Sequence, residues 1–160
     1  MVKIRRTARS TPRPIAGTRR GSASGRPDAK ARTRPARRAP KLPGMVSSVL
    51  DAVAGKKAED VVVLDLRKAG GFTDYFVICT GANTRQIAAM ADAVRDTVMR
   101  DFAERPALTE GVDKSEWILL DYFDFVVHIF SPECRAFYGL ERLWGNAERF
   151  EVGGPGPRSF

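Results

Sequence analysis

The sequence contains few of the residues that build metal centres and disulfide frameworks. Its 160 residues include two cysteines, Cys79 and Cys134, and a single histidine, His128. Neither cysteine belongs to a CxxC pair, and one histidine adds too few ligands to predict a zinc site. Two free thiols without a disulfide framework are typical of a reducing compartment.

Long apolar runs and the common catalytic motifs are also missing from the sequence. No run reaches the roughly 18 apolar residues of a membrane-spanning helix. A P-loop, a GxGxxG fingerprint and a nucleophile elbow are absent. Metal-dependent phosphoryl transfer favours two carboxylates at D-x-D spacing, and the aspartates near predicted strand ends do not have this spacing. These aspartates are Asp65, Asp74, Asp121 and Asp124.

Basic residues are concentrated at the amino-terminal end of the chain, within a formal net charge of +8. Residues 1–43 hold 14 Lys and Arg and one acid, giving +13, whereas residues 44–160 hold 13 Lys and Arg and 18 acids, giving −5. The chain therefore combines a strongly basic extension with a mildly acidic domain. Only the extension is suited to non-specific contact with RNA phosphates.

Residues 1–44 are rich in Arg, Pro, Ser, Gly and Ala and have hardly any apolar side chain to bury. This composition predicts a disordered extension. Three interpretations stay open: an arm that holds RNA, an organelle transit peptide, or a segment that is not translated because synthesis starts at Met45. We expect the folded domain to span residues 45–152 and a flexible tail to span 153–160.

Hydrophobic periodicity divides the domain into helices and strands. A one-faced apolar stripe predicts a helix from Met45, and Asn83 and Ser131 are expected to cap two further helices. Strands are predicted at 61–66, 73–80, 115–122 and 124–130, with a short strand near 107–110 and a tight hairpin joining 115–122 to 124–130. This order predicts an α/β (α+β) fold: a small mixed sheet with helices packed mainly on one face.

The predicted strand at 115–122 carries the most informative side chains. Trp117, Leu119 and Asp121 share one of its faces, because strand residues alternate between faces. If helices cover only one face of the sheet, this set is partly exposed and resembles an interface anchor with a polar rim. If helices cover both faces, the same residues belong to the core.

The last predicted helix poses the same choice between core and interface. It carries Tyr138, Leu140 and Trp144, and we expect core packing for Phe137 and Leu140. His128 shares a strand face with apolar neighbours, which favours a structural histidine with satisfied hydrogen bonds. Asp74 precedes a strand, where an aspartate commonly caps a loop by accepting hydrogen bonds from local backbone N–H groups; an exposed recognition role is the main alternative.

Five motifs occur in an order that resembles the ribosomal silencing factor family, which includes the RsfS and Iojap proteins. The motifs are DVVVLDLR, FTDYFVICTG, RQIAAMAD, EGVDKSEWILLDYFDFVVHIF and RAFYGLERLW, and they cover roughly residues 58–146. The resemblance implies a nucleotidyltransferase-like core that lacks the catalytic carboxylates, which is consistent with the missing D-x-D. It also implies that the protein is not an enzyme and uses no cofactor.

The resemblance further implies a ribosomal partner. Family members bind large-subunit protein fourteen on the intersubunit face of the large ribosomal subunit, block subunit joining and repress translation under nutrient limitation. Trp117, Leu119 and Asp121 match the family's W-x-x-x-D strand, and Tyr138, Leu140 and Glu141 match its Y-x-L-E helix. With Asp74, these are the expected partner-binding residues, the apolar ones as anchors and the acids facing Arg or Lys.

The sequence departs from the family pattern at two places. Family hairpins usually carry D-x-G-D, whereas this turn is Asp121-Tyr122-Phe123-Asp124. A glycine serves where φ is positive, so either the turn changes type or Phe123 adds a surface aromatic to the interface. The basic extension is the second departure. It leaves the start site open, and it leaves organelle localisation as an alternative to the bacterial cytoplasm that we expect.

Other functions remain alternatives to silencing. An RNA-binding large-subunit assembly factor would act through non-specific rRNA contact by residues 1–44. A nucleotidyltransferase is implied by the fold analogy alone, and the missing carboxylate pair argues against it. The free protein is also expected to form a homodimer through the same apolar face, since an unoccupied patch invites a symmetric partner. No membrane partner is expected.

Overall fold

A computed structural model describes residues 41–153, which form one six-stranded sheet and four helices. The elements are α1 Gly44–Gly55, β1 Glu59–Asp65, β2 Tyr75–Thr80, α2 Thr84–Phe102, β3 Leu108–Glu110, β4 Trp117–Asp121, β5 Phe125–Phe130, α3 Pro132–Tyr138, α4 Leu140–Leu143 and β6 Glu148–Val152. The predicted extension before residue 41 and the tail after residue 153 lie outside the described residues, so both stay predictions.

The sheet has the strand order β3-β4-β5-β2-β1-β6. Its central neighbours β2 and β5 are parallel, and the other neighbouring strands are antiparallel. The predicted mixed sheet with an α/β (α+β) arrangement is therefore confirmed. The likeness to a nucleotidyltransferase core stays a prediction.

Helices α1 and α2 cover one face of the sheet and build the larger core. Val46, Val49 and Val53 of α1 pack with a stripe of α2 residues against alternate positions of β1, β2, β4 and β5. The α2 residues in this core are Ile87, Met90, Ala91, Val94 and Val98. The spacing of Val46, Val49 and Val53 is the one-faced pattern predicted for the first helix, because a helix places every third or fourth residue on the same face.

Local hydrogen bonds define where α2 begins and ends. The Asn83 side chain accepts a hydrogen bond from the Gln86 backbone N–H at 2.8 Å, as the capping prediction required. The Gln86 side chain accepts one from the Ala82 N–H and donates to the carbonyl oxygens of Lys56 and Lys57. It therefore joins the start of α2 to the end of α1.

The opposite face of the sheet carries a smaller core, covered by the short helices α3 and α4. Phe76, Ile78, Val126 and Phe130 lie at its centre, with Trp144 packed edge-on against Phe76 at 5.9 Å. Strands β2 and β5 are consequently buried at every position. The long helices lie on one face, as predicted, and the second face has a lighter cover.

Two sequence-based expectations for residues 132–152 were wrong. The last predicted helix is two helices, because Gly139 has φ +53° and ends α3. Phe137 is 81% exposed and does not belong to the core, whereas Leu140 packs against the smaller core as expected. Strand β6 was also missed: it pairs with β1 at the sheet edge, and its polar, largely exposed sequence gives little periodic signal.

The predicted hairpin between β4 and β5 is present and turns on Phe123. The Asp124 N–H donates to the Tyr122 carbonyl at 2.9 Å, which makes a γ-turn with Phe123 at its centre. Phe123 has φ +68° and its side chain is 76% exposed. The Asp121 carboxylate accepts a hydrogen bond from the Phe123 N–H at 2.8 Å. Phe123 thus adopts the conformation that glycine serves and also presents an aromatic ring to solvent.

Replacing Phe123 with glycine is expected to stabilise the fold. A non-glycine residue at positive φ costs on the order of 1 kcal/mol or more, and an exposed ring contributes little packing that would be lost. We expect the free energy of unfolding of Phe123→Gly to rise by about 1 kcal/mol, measured by urea denaturation. Phe72→Gly is the matched control, because Phe72 is also 76% exposed but has no positive φ. A free energy of unfolding for Phe123→Gly that is equal to or lower than that of the wild type would show that the positive φ of Phe123 does not strain the fold.

Candidate partner-binding face

Trp117, the first residue of β4, is partly exposed and lies at the centre of a cluster of aromatic side chains. Its ring lies 4.5 Å from that of Tyr138 on α3 and 5.0 Å from that of Phe130 on β5. Leu119 lies two residues further along the same face and is also half-buried, while Ile118 and Leu120 on the other face are fully buried. Of the two roles weighed for Trp117 and Leu119, the structure favours a partly exposed position over a fully buried one.

Short helices leave this face open. Helix α3 has seven residues and α4 has four, so they cover only part of the second sheet face. Within these two helices Phe137 is 81% exposed, Leu143 72% and Tyr138 48%. Clustered exposed apolar side chains of this kind mark interaction sites on protein surfaces. We define the docking face as Trp117, Leu119, Phe137 and Tyr138, which are linked by the Trp117–Tyr138 and Phe137–Tyr138 ring contacts and by the strand face that Trp117 and Leu119 share.

A groove beside Trp117 is lined by acidic and aromatic residues. Asp113 and Glu116 line it together with Lys114, Cys134 and Tyr138. Both acids are exposed, and neither forms an ion pair within residues 41–153. Within the described part of the chain, the groove therefore offers two unpaired carboxylates and one unpaired ammonium group, that of Lys114, next to the docking face.

Gly111 lies in the loop between β3 and β4, which lines this groove, and it brings the loop against the backbone of β4. It has φ +82°, and a Cβ atom at this position would lie 1.8 Å from the Trp117 carbonyl oxygen. No other residue type fits so close to another backbone. Sequence reasoning passed over Gly111, although an isolated glycine in the segment between two predicted strands was the available signal.

His128 lies beneath Trp117 and accepts its indole hydrogen bond. The distance from Trp117 Nε1 to His128 Nδ1 is 3.2 Å, and His128 is only 4% exposed. Burial lowers the pKa of the imidazole from its ordinary value to about 4, so the ring is neutral at physiological pH. The structural role predicted for His128 is present at Nδ1. The expectation that all its hydrogen bonds are satisfied was wrong, because the buried Nε2 has no partner in the described part of the chain.

Arg135 holds α3 and α4 onto the edge of the central strands. Its guanidinium donates to the Glu141 carboxylate at 2.6 and 2.9 Å, to the Asp60 carbonyl at 2.6 Å and to the Thr80 hydroxyl at 2.8 Å. The Arg135 and Glu141 side chains are 13% and 16% exposed. Burial alone would raise the pKa of Glu141, but the hydrogen bonds from Arg135 keep it below its ordinary value. The Glu141 carboxylate is thus already paired with Arg135 inside the protein.

Asp74 and Asp121 lie at the other end of β4, near the hairpin. The Asp74 side chain is exposed and accepts no hydrogen bond within residues 41–153, so the predicted loop cap is not formed. Thr73 links the two segments instead, because its hydroxyl donates to the Phe123 carbonyl at 2.7 Å. The Asp74 N–H donates to the Asp124 carbonyl at 3.0 Å.

The seven predicted partner-binding residues therefore fall into three groups. Trp117, Leu119 and Tyr138 lie together on the docking face, and Leu140 supports it from the smaller core. Asp121 and Asp74 form an acidic end beside the hairpin. Glu141 is turned towards Arg135 and the ends of β1 and β2.

Comparison with known proteins identifies the family to which this arrangement belongs. A family model described as "Ribosomal silencing factor during starvation" matches residues 39–158. The chain belongs to the RsfS family. The ribosomal silencing factor RsfS of Halalkalibacterium halodurans is 36% identical to the chain over 110 residues, which is 69% of this chain and 93% of that protein.

Two further comparisons extend the assignment of this RsfS-family chain. A crystal structure from Chromobacterium violaceum is similar with a TM-score of 0.61 and 27% identity, covering 71% of this chain and 93% of that one. A mouse protein named "Mitochondrial assembly of ribosomal large subunit protein 1" is 29% identical over 101 residues, 62% of this chain and 44% of that protein. The family names thus connect the RsfS fold with translation regulation and with the large ribosomal subunit.

The described part of this RsfS-family chain contains neither a bilayer-spanning helix nor a metal-binding cluster. Within residues 41–153, no helix has the length and apolarity to cross a membrane. The same residues contain no group of three or more His, Cys, Asp or Glu side chains arranged to hold a metal ion.

Acidification is expected to destabilise the domain through His128. The imidazole has a pKa of about 4 in the fold, whereas a histidine in the unfolded chain titrates near pH 6.5. As the pH falls, the unfolded state binds a proton first, so stability that is complete above about pH 6.5 is lost as the pH falls towards the folded pKa. The expected loss is on the order of 3 kcal/mol.

Unfolding by urea between pH 7 and pH 4.5 measures this loss. His128→Leu removes the titrating group, so its stability is expected to fall less steeply with pH than that of the wild type. Parallel curves for the two proteins would show that His128 does not supply the pH dependence.

Removing Arg135 is expected to destabilise the helices below the docking face. Arg135→Met leaves the Glu141 carboxylate and the Thr80 hydroxyl without their partner, which costs about 2 kcal/mol or more. Arg149→Met is the matched control, because Arg149 pairs with Glu151 on the surface at 48% and 71% exposure. We expect the control to change the free energy of unfolding by less than about 0.5 kcal/mol. Equal losses in the two variants would contradict a special role for Arg135.

Proposed function

We propose that the protein binds the large ribosomal subunit through the docking face and thereby prevents the small subunit from joining. The observation that carries this proposal is the contact between Trp117 and Tyr138, whose rings lie 4.5 Å apart and stay partly exposed. The two residues come from separate family motifs, and the fold joins them into one aromatic surface. Tryptophan and tyrosine are the residues most enriched among energetic hot spots of interfaces.

Charge favours a basic protein as the direct partner over ribosomal RNA. Residues 41–153 contain 13 Lys and Arg and 18 Asp and Glu. An acidic surface is repelled by RNA phosphates and attracted by a basic protein patch. Large-subunit protein fourteen, on the intersubunit face, is the partner that we propose. We assign Asp113 and Glu116 in the groove, with Asp121 and Asp74 at the hairpin end, as the acids that meet its Arg and Lys side chains.

These residues have three different proposed roles: some anchor the partner, some steer its approach and some support the docking face. Trp117, Leu119 and Tyr138 anchor the partner because they combine apolar area with partial exposure. The acids contribute mainly to the rate and orientation of encounter, since exposed charges add little net affinity. Leu140 and Glu141 support the face from below: Leu140 packs in the smaller core, and Glu141 is paired with Arg135.

The mechanism requires no chemical step. A domain of about 110 residues has a radius of gyration of roughly 13 Å, so a bound copy occupies a volume that the small subunit needs. Repression of translation under nutrient limitation follows from occupancy of this site.

We place the protein in the bacterial cytoplasm. Self-association of the free form through the same face stays a proposal, because burying an apolar patch favours a symmetric pair.

An RNA-binding assembly factor is the second candidate function. The 14 Lys and Arg of residues 1–43 favour it, as does the likeness to a mouse protein named for assembly of the large ribosomal subunit. Binding driven by phosphate contacts falls steeply with salt and is lost when the basic residues are removed. Binding through the docking face is expected to survive removal of residues 1–40 and to depend weakly on salt.

Co-sedimentation of the full chain with isolated large subunits, small subunits and joined ribosomes tests the proposal. We expect binding to large subunits alone, and Trp117→Ala is expected to weaken it about 30-fold or more, as for a tryptophan hot spot. Asp121→Arg is expected to weaken binding through charge reversal. Phe102→Ala is the matched control, because Phe102 is an exposed aromatic on α2, the helix that covers the opposite face.

The outcomes separate the two candidate functions. Loss of binding in Trp117→Ala but not in Phe102→Ala supports docking through the proposed face. Full binding by Trp117→Ala, together with loss of binding at high salt, would contradict docking and favour the assembly function.

A further inference from the structure

The hydrogen bond between Trp117 and His128 defines a single protonation state of the histidine. An indole N–H is only a donor, so His128 Nδ1 must accept with a lone pair. The ring proton therefore resides on Nε2. Moving it to Nδ1 would bring two N–H donors to 3.2 Å from each other and break the only side-chain hydrogen bond of the Trp117 indole within the described residues.

His128 itself is held rigidly by its surroundings. It lies in β5, which is buried along its whole length. Its ring is nearly perpendicular to that of Phe76, with centroids 4.7 Å apart, and parallel to that of Phe130 at 5.9 Å. The acceptor offered to Trp117 is therefore fixed by the core, in contrast to the half-exposed indole that uses it.

The other contacts of Trp117 restrain its ring plane but do not select one orientation within that plane. The rings of Phe130 and Tyr138 contact it at 5.0 and 4.5 Å with interplanar angles of 25° and 45°. Such contacts tolerate a flipped ring, because aromatic stacking is weakly directional compared with an N–H···N bond. Strand β3 pairs only with Leu119, Leu120 and Asp121 of β4, so it adds no ladder beside Trp117.

We propose that His128, held as the Nε2–H tautomer, is a positioning residue that fixes the orientation in which Trp117 is presented to the large ribosomal subunit. This inference rests on the proposed function, since it concerns the same docking face. His128 contributes without touching the partner. By ordering the indole before the partner arrives, it removes the entropy cost of fixing one large side chain on binding.

Nuclear magnetic resonance tests the positioning independently of ribosome binding. The chain has one histidine and two tryptophans, so histidine nitrogen shifts report on His128 alone and Trp144 is an internal reference for indole N–H exchange. We expect the shifts of a neutral Nε2–H tautomer and slow exchange of the Trp117 indole proton. Exchange is expected to become fast in His128→Leu, which has no acceptor, and to stay slower in His128→Asn, whose amide oxygen replaces Nδ1. An Nδ1–H tautomer, or an exchange rate unchanged in His128→Leu, would overturn the inference.

Large-subunit affinity then tests the consequence for docking. His128→Leu is expected to weaken binding about threefold to tenfold, the range set by the ordering of one side chain, and His128→Asn to restore part of this loss. In a Trp117→Phe background, which lacks the indole donor, His128→Leu is expected to cause no further loss. Ile129→Val is the control for general destabilisation, because Ile129 lies on the same strand but packs in the larger core.

Failure of the inference and failure of the proposed function give different results. If Trp117→Ala weakens binding but His128→Leu binds like the wild type, the docking face stands and the positioning role is overturned. If Trp117→Ala itself binds like the wild type, the proposed function fails. If both His128→Leu and Ile129→Val weaken binding equally, the effect is one of stability, which also overturns the positioning role.

Discussion

The central strand pair β2 and β5 is buried at every position, and most of the architecture follows from this constraint. Two strands that are apolar on both faces must be covered by other elements on both faces. The two faces of this sheet are covered to different extents. The long helices α1 and α2 cover one face and bury the core residues of β1, β2, β4 and β5 on it. Within residues 41–153, the second face is covered by α3 and α4, which have seven and four residues, and by the loop that carries Leu66 and Phe72. Trp117 and Leu119 lie on this more lightly covered face and stay partly exposed.

Unequal cover also explains where the polar groups of the second face are found. Polar side chains on a sheet face that is half core and half surface are costly to bury unless they have partners or reach solvent. Arg135 satisfies Glu141, Thr80 and the Asp60 carbonyl at once, and so it fastens the short helices that have little apolar area of their own. The buried His128 accepts a hydrogen bond from the indole N–H of Trp117. The docking face is therefore supported by hydrogen bonds as much as by apolar packing.

A binding function suits this arrangement because the useful property of the face is its fixed shape. The larger core supplies rigidity, the short helices supply exposed rings, and the acidic groove supplies charge complementary to a basic partner. Membership of the RsfS family is consistent with such a face, and the relatives' names connect it with the ribosome.

Much of the fold could be predicted from local patterns. The apolar spacing of Val46, Val49 and Val53 and the cap formed by Asn83 and Gln86 are local signals, because periodicity and capping act within one or two helical turns. Strand β6 and the break at Gly139 were missed, since a polar edge strand and a helix-ending glycine depend on what packs beside them. Phe137 fitted an apolar stripe and yet is exposed, because no element formed by residues 41–153 covers that side of α3.

The sequence by itself determined the types of the elements from α1 to β5, the uneven distribution of charge and the family, because these depend on periodicity, composition and ordered motifs. Only the tertiary structure decided which residues act together. Trp117 and Tyr138 are separated by a turn, a strand and a helix, and their rings meet because α3 packs against β5, the strand that pairs with β4. The same is true of Trp117 with His128 and of Arg135 with Asp60: each pair is joined by strand pairing or helix packing, and neither contact is encoded by spacing along the chain.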